Sequence, residues 1–200
     1  MKLNLYGGKF VVFEGLDGSG QSTQAKLLKE YFDQQGIAAF LTKEPTQWTV
    51  AGKKIKEVLG EEKKLEPLQL QELFVRDRSQ HLKKEIVPAL KAGKIVICDR
   101  YFFSTLAFGG IDVPISELMA MNDMFLYPDK TFFLKVRPEV CLQRIEKREE
   151  GVKFFEKLEK LRKVAANYQK IFQDAPNAVI LNGEKSILEI HKKIINNLNF

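Results

Sequence analysis

Apolar residues gather in five short runs, at 9–14, 37–42, 94–98, 130–135 and 177–181, and the runs are apolar throughout instead of alternating with polar positions. Continuous β-branched and aromatic stretches such as Lys9-Phe-Val-Val-Phe13 predict strands buried on both faces. Between the runs the spacing changes to that of helices. From 22 to 35, Ala25, Leu27, Leu28, Tyr31 and Phe32 recur at helical intervals. Similar segments cover 49–59, 67–92, 114–125, 138–173 (broken near Gly151) and 186–198. Strands alternating with helices predict an α/β fold with a central five-stranded parallel sheet and helices on both faces. Right-handed crossovers then bring loops 15–20, 43–49 and 99–109 to the carboxyl edge of the sheet, where open α/β folds bind ligands.

The chain has 200 residues, enough for one domain with a sizeable core, and no repeat, low-complexity tract or linker divides it. No stretch approaches the ~20 consecutive apolar residues of a membrane span. The first residues, with Lys2, Asn4 and the Gly7-Gly8 pair, lack the apolar centre of a signal peptide, so a cytoplasmic protein is expected. The net charge of +6 suits an anionic ligand. Its lysines and arginines are interleaved with acids along 53–64 and 144–163, which favours solvated helix faces over a nucleic-acid stripe. Cys98 and Cys141 sit in apolar surroundings and read as buried free thiols.

The chemistry begins between the first strand and the first helix. Gly15, Gly20 and Ser22 fit the phosphate-loop pattern G-x-x-x-x-G-K-[ST], but the lysine position holds Gln21. The glycines, Gly18 included, let backbone N–H groups turn toward phosphate oxygens, with Ser19 and Thr23 beside them, and the Ser22 hydroxyl can meet a magnesium ion. Gln21 can donate hydrogen bonds but brings no charge to the β- and γ-phosphates.

At the end of the third strand stands Cys98-Asp99-Arg100-Tyr101. Asp99 is placed to hold magnesium directly or through water, and Arg100 offers a planar fork for phosphate oxygens. The competing assignment has Asp99 cap the next helix with Arg100 as its ion-pair partner. Phe74 and Arg78 are four residues apart on one predicted helix face, an aromatic beside a guanidinium that suits a hydrogen-bonding base. Taken alone, the pair reads better as a core Phe74 and a surface-paired Arg78. The base-binding reading prevails once the other motifs are considered. His81 and His191 are expected at the surface, with no catalytic part.

These motifs, in order, resemble those of the thymidylate kinases, a group of nucleoside monophosphate kinases with phosphate loops. The similarity lies in Phe13-Glu-Gly-Leu-Asp-Gly-Ser-Gly20, Lys43-Glu-Pro-Thr46 and Leu73-Phe74-Val-Arg-Asp77-Arg78. It continues through Ala89 to Tyr101, then Ser104, Ala107-Phe108 and Arg137-Pro-Glu-Val-Cys-Leu-Gln-Arg144. The resemblance implies a three-layer kinase fold with a short lid at about 147–156, ATP with Mg2+, dTMP as acceptor, and a homodimer. It implies that Asp17 meets the deoxyribose 3′-hydroxyl, Phe74 stacks on thymine and Arg78 bonds an exocyclic oxygen. Arg100 holds the acceptor phosphate, with Asp99 on the metal side and Ser104 close by. Thr105 matches a base-contacting position, Phe108 crowds a ribose 2′-hydroxyl, and Glu44-Pro45, a bond that can be cis, lines the acceptor site. Asn182 and Gly183 match the loop edging adenine.

Gln21 departs from the family pattern, and so does Gly109, where glutamine is frequent. Arg144, Arg148 and Lys153 are the candidates to supply the missing charge, against an ordinary solvated basic face paired with Glu146, Glu149 and Glu156. Two alternatives to a dTMP kinase stay open. One is a kinase for another deoxynucleotide or a deoxynucleoside. The other is a nucleotide-binding homologue with impaired turnover.

Overall fold

The computed structural model describes residues 1–60, 62–147 and 154–198, with side-chain detail for helix residues from 157 onward in the last segment. Five strands form one parallel sheet: β1 (Lys9–Gly15), β2 (Ala39–Lys43), β3 (Ile95–Asp99), β4 (Lys130–Lys135) and β5 (Ala178–Asn182), in the order β2-β3-β1-β4-β5. Strand β1 is central, and the register pairs Phe13 with Asp99 on β3.

Its side chains alternate between two cores. Val11 and Phe13 join Ala25, Leu28 and Phe32 of α1 (Gln21–Gln34) and Ile190 and Ile194 of α9 (Ile187–Asn196). Phe10 and Val12 face the other way, into a larger core. That core is built by α5 (Phe102–Gly109), α6 (Ile115–Asn122), α7 (Pro138–Glu146), α8 (Phe154–Ile171) and Leu82, Ile86 and Leu90 of the helical segment leading into β3. Helix α2 (Val50–Leu59) packs on α3 (Pro67–His81), and the Thr49 hydroxyl starts it by accepting from the Gly52 N–H at 2.7 Å.

Two expectations need correction. The segment 99–109, expected as loop, is mostly helix α5, whose apolar positions Phe102, Phe103, Leu106 and Ala107 are all buried. A short helix apolar on nearly every side leaves no amphipathic period to read. The segment 67–92 is not one α-helix: α3 gives way to a π-helical turn at Leu82–Ile86 and then α4 (Val87–Lys91). Pro88 cannot donate to a preceding carbonyl, and the widened turn accommodates that loss. The 138–173 segment is divided as expected, into α7 and α8, and 148–153 between them lies outside the described residues.

Both cysteines are free and buried, as expected. Burial pushes the Cys98 thiol well up and that of Cys141 up to about 12. Among the described residues, no helix is long and apolar enough to cross a membrane.

Candidate functional site

Strand β1 ends at Gly15, and the chain turns through Leu16–Gly20 before α1 begins. Ser19 N–H donates to the Leu16 carbonyl at 3.0 Å, closing the turn. Gly18 and Gly20 have φ of +82° and +97°, and a side chain on Gly18 would meet the Cys141 carbonyl at 2.6 Å. Gly20 caps α1 without a side-chain bond, and no acid occupies the first turn. The N–H groups of Gln21, Ser22 and Thr23 at this helix start therefore form an open anion site.

Across from it, the carboxyl end of β3 supplies two charged groups. The Ser22 hydroxyl donates to Asp99 Oδ2 at 2.5 Å, and Lys43 Nζ lies 3.4 Å from the same oxygen. Asp99 Oδ1 is buried with no partner. A hydroxyl and a carboxylate with a spare oxygen, beside an anion loop, fit a hard cation that draws its remaining ligands from phosphate and water. Among the described residues no three His, Cys, Asp or Glu side chains gather as a protein-only metal cage. Asp99 neither caps α5, which starts without a side-chain cap, nor pairs with Arg100. The capping alternative for this dipeptide is thus overturned.

Arg100 has φ of +72°, a left-handed backbone that turns its side chain back over the phosphate loop. Its Nη1 donates to the Gly15 carbonyl and Ser104 Oγ, both at 3.0 Å, and its Nη2 to Asp17 at 2.7 Å. The guanidinium carbon stands 5.1 Å from the centre of the Phe108 ring. Gln21 is buried and points toward this arginine.

Beneath Arg100 lies Glu14, a fully buried carboxylate. Its oxygens accept from the Tyr101 N–H (2.8 Å), the Ser104 N–H (3.2 Å), the Ser104 hydroxyl (2.6 Å) and the Tyr168 hydroxyl (2.8 Å). Burial pushes its pKa up from 4.5 to about 7, against the Arg100 charge and these bonds, which lower it. Sequence reasoning quoted Glu14 within a motif but gave it no role. The available signal was a carboxylate inside an otherwise apolar strand.

A second buried cluster forms the wall between α3 and α5. Arg78 donates from Nε to Glu44 at 2.8 Å, from Nη2 to Thr105 at 3.0 Å, and from Nη1 to Asn122. It is 1% exposed, and Phe74 one turn before is half-buried, so neither the surface pair nor the core aromatic describes them. Glu44, at the cis Glu44-Pro45 bond, directs its carboxylate to Arg78 and to His81 Nδ1, 3.1 Å away. His81 is wholly buried, with Nε2 2.7 Å from Thr42 Oγ1, and not at the surface as expected. It faces inward because Glu44 and Thr42 satisfy both ring nitrogens. His191, by contrast, is partly buried. It packs edge-on against Tyr31, and burial lowers its pKa. Asp77 pins the loop before α2, accepting from the Thr46 N–H at 2.7 Å and from the Thr46 and Thr49 hydroxyls. On α3, Gln71 lies against Gly109 of α5, where an added Cβ would meet its amide carbon at 2.7 Å. Gln71 Oε1 is buried and unpartnered.

On the far side of the loop, Arg144 reaches the Gly183 carbonyl at 3.1 Å and those of Gly18 and Ser19 at 3.4 Å. It joins the phosphate loop to the turn after β5. Asn182 is exposed there and accepts from the Glu184 N–H at 2.9 Å. The lid candidates Arg148 and Lys153 lie outside the described residues. Lys43, Glu14, Asn122 and Tyr168 complete the constellation without having been singled out.

The structure thus brings Asp17, Gln21, Ser22, Asp99, Arg100, Ser104 and Phe108 together at one sheet edge, with Glu44, Phe74, Arg78 and Thr105 beside them. Comparisons with known proteins match this whole frame. The family model described as Thymidylate kinase covers residues 13–194. The chain is 40% identical over 196 residues to the "Probable thymidylate kinase" of Pyrococcus horikoshii, 94% of each chain being covered. It is 36% identical over 190 residues to the thymidylate kinase of Desulfotalea psychrophila, covering 94% of this chain and 93% of that one. The figure for the thymidylate kinase of Leptospira interrogans is 37% over 180 residues, covering 88% and 87%. A match extending from the phosphate loop to the last helix, at such identity, means that the chain belongs to the thymidylate kinase family.

Proposed function

We propose that this protein transfers the γ-phosphoryl group of ATP to the phosphate of dTMP, giving dTDP. The observation that carries it is Arg100, which bonds the anion loop at Gly15 and Asp17 and reaches Ser104 of α5, next to the Thr105 that Arg78 holds. Phosphoryl transfer needs positioning and positive charge on the phosphate oxygens more than covalent chemistry. The loop N–H groups receive the donor phosphates. Ser22 and Asp99 would hold a magnesium ion, which would supply charge neutralisation at those phosphates. Arg144, bonded to the Gly18, Ser19 and Gly183 carbonyls, brings its charge beside the phosphate loop, and the Arg100 fork receives the acceptor phosphate. Arg78, already fixed by Glu44, Asn122 and Thr105, keeps two N–H groups for the base, Phe74 stacks on the base, and Asp17 meets the sugar hydroxyl. The acceptor is itself a phosphate anion, so no general base is required.

The chain works as one domain, and we propose that two copies pair through the α2–α3 side. Exposed Val50, Leu59 and Leu68 there support that reading. The kinase assignment is tested by coupled assay of ATP with a panel of nucleoside monophosphates in the presence of magnesium. dTMP should be the fastest acceptor. Faster turnover of dUMP or dCMP, or no dTDP at all, overturns it, and a monomer at micromolar concentration overturns the dimer.

A further inference from the structure

A phosphate loop ordinarily places a lysine ammonium on the β- and γ-phosphates. An ammonium at position 21 would also face the Arg100 guanidinium and repel it. Gln21 removes that repulsion, and its surroundings decide how its amide is turned. The Leu16 carbonyl can only accept, and the Arg100 nitrogens can only donate. With the amide nitrogen toward Leu16, it donates to that carbonyl at 3.1 Å and to the Ser19 hydroxyl. The amide oxygen then accepts from Arg100 Nε at 3.2 Å and Nη2 at 2.7 Å. The opposite orientation keeps only the Ser19 hydroxyl on the amide oxygen, and it sets an NH2 group against the guanidinium and the amide oxygen toward the Leu16 carbonyl.

On the reading of the site as a dTMP kinase, we propose that Gln21 is a positioning residue. Its amide oxygen holds the Arg100 guanidinium against the phosphate loop, beside the place where a lysine would have brought its charge. The acceptor oxygen must come within about 3–3.5 Å of the γ-phosphorus, so the donor and acceptor phosphates adjoin. Gly15, Ser104 and Gln21 hold Arg100 from the protein side, while Asp17 is the exposed partner that can yield its place to phosphate. Arg100 has a 12% exposed side chain and Gln21 is buried, so their contact is shielded from water.

The coupling can be measured without substrate. The Arg100 Nε–H resonance in proton–nitrogen NMR spectra, assigned through Arg100→Lys, should be protected from solvent exchange in the native protein. Protection should persist in Gln21→Glu, which keeps the acceptor, and disappear in Gln21→Leu, which does not. Equal protection in native protein and Gln21→Leu overturns the proposal. In steady-state assays, Gln21→Leu should raise the dTMP KM about tenfold and lower kcat on the order of tenfold to a hundredfold, with the ATP KM shifting less than about threefold. Gln21→Lys should raise kcat less than about tenfold and also raise the dTMP KM, because the new ammonium drives Arg100 off. A larger gain at unchanged dTMP KM overturns the proposal. If the native protein prefers another acceptor, the dTMP assignment falls while the NMR comparison still decides the Gln21–Arg100 contact.

Discussion

Glu14→Gln should abolish a pH dependence of stability that originates under the active-site arginine. The native carboxyl has its pKa raised by burial from 4.5 to about 7 in the folded state. Between those values the folded protein binds the proton more tightly than the unfolded chain does. Stability from this group is therefore full below pH 4.5, falls as pH rises, and is lost above about pH 7. At 1.36 kcal/mol per pH unit the ceiling on that loss is about 3 kcal/mol. Glutamine keeps the shape and one acceptor oxygen for the Tyr101 and Ser104 N–H groups. Its NH2 group can donate to Ser104 Oγ and the Tyr168 oxygen, because hydroxyls accept as well as donate. What glutamine forfeits is the ionised form's attraction to Arg100. The variant should thus lie within about 1 kcal/mol of the native protein near pH 5 and exceed it by about 1–3 kcal/mol near pH 8. Urea unfolding of both proteins across that range, followed by circular dichroism, gives the difference directly. Stability curves that stay parallel from about pH 5 to pH 8 would show that Glu14 does not titrate in this interval.

Two further outcomes follow from the site. Arg78→Met leaves Glu44 buried without its guanidinium and should cost about 3–5 kcal/mol in urea unfolding, whereas a loss under about 1 kcal/mol would mean that Glu44 finds another partner. Ser22→Ala removes the hydroxyl on Asp99 and should raise the magnesium concentration for half-maximal turnover on the order of tenfold, with chelator abolishing activity in both proteins. An unchanged magnesium requirement would remove Ser22 from the metal side.

Much of the frame was legible because its signals are local. A buried parallel strand writes itself as a short continuous apolar run, and a tight anion loop requires glycine wherever φ is positive. Hence β1 and β3–β5, the loop at 15–22 and the strand–loop–helix order were readable residue by residue. Helix α5 was not, since its eight residues are apolar nearly all round and carry no 3.6-residue contrast. His81 misled for a related reason. A polar side chain on a long helix is ordinarily solvent-facing, and its inward partner, Glu44 for His81, lies 37 residues away.

The sequence by itself determined the ligand class, through the glycines, Ser22 and the strand before them, and it marked Gln21 as a missing charge. Only the tertiary structure decided what stands in for that charge's surroundings. Glu14 and Tyr168 meet across 154 positions, and Arg100 and Asp17 across 83. Such contacts depend on β1 and β3 lying side by side and on α8 folding back over them, and no periodicity in a linear chain encodes that pairing. The same holds for Gln21: its residue type is visible in the sequence, but its partner is set by the backbone turn at Arg100 that brings a guanidinium from the neighbouring strand onto the loop.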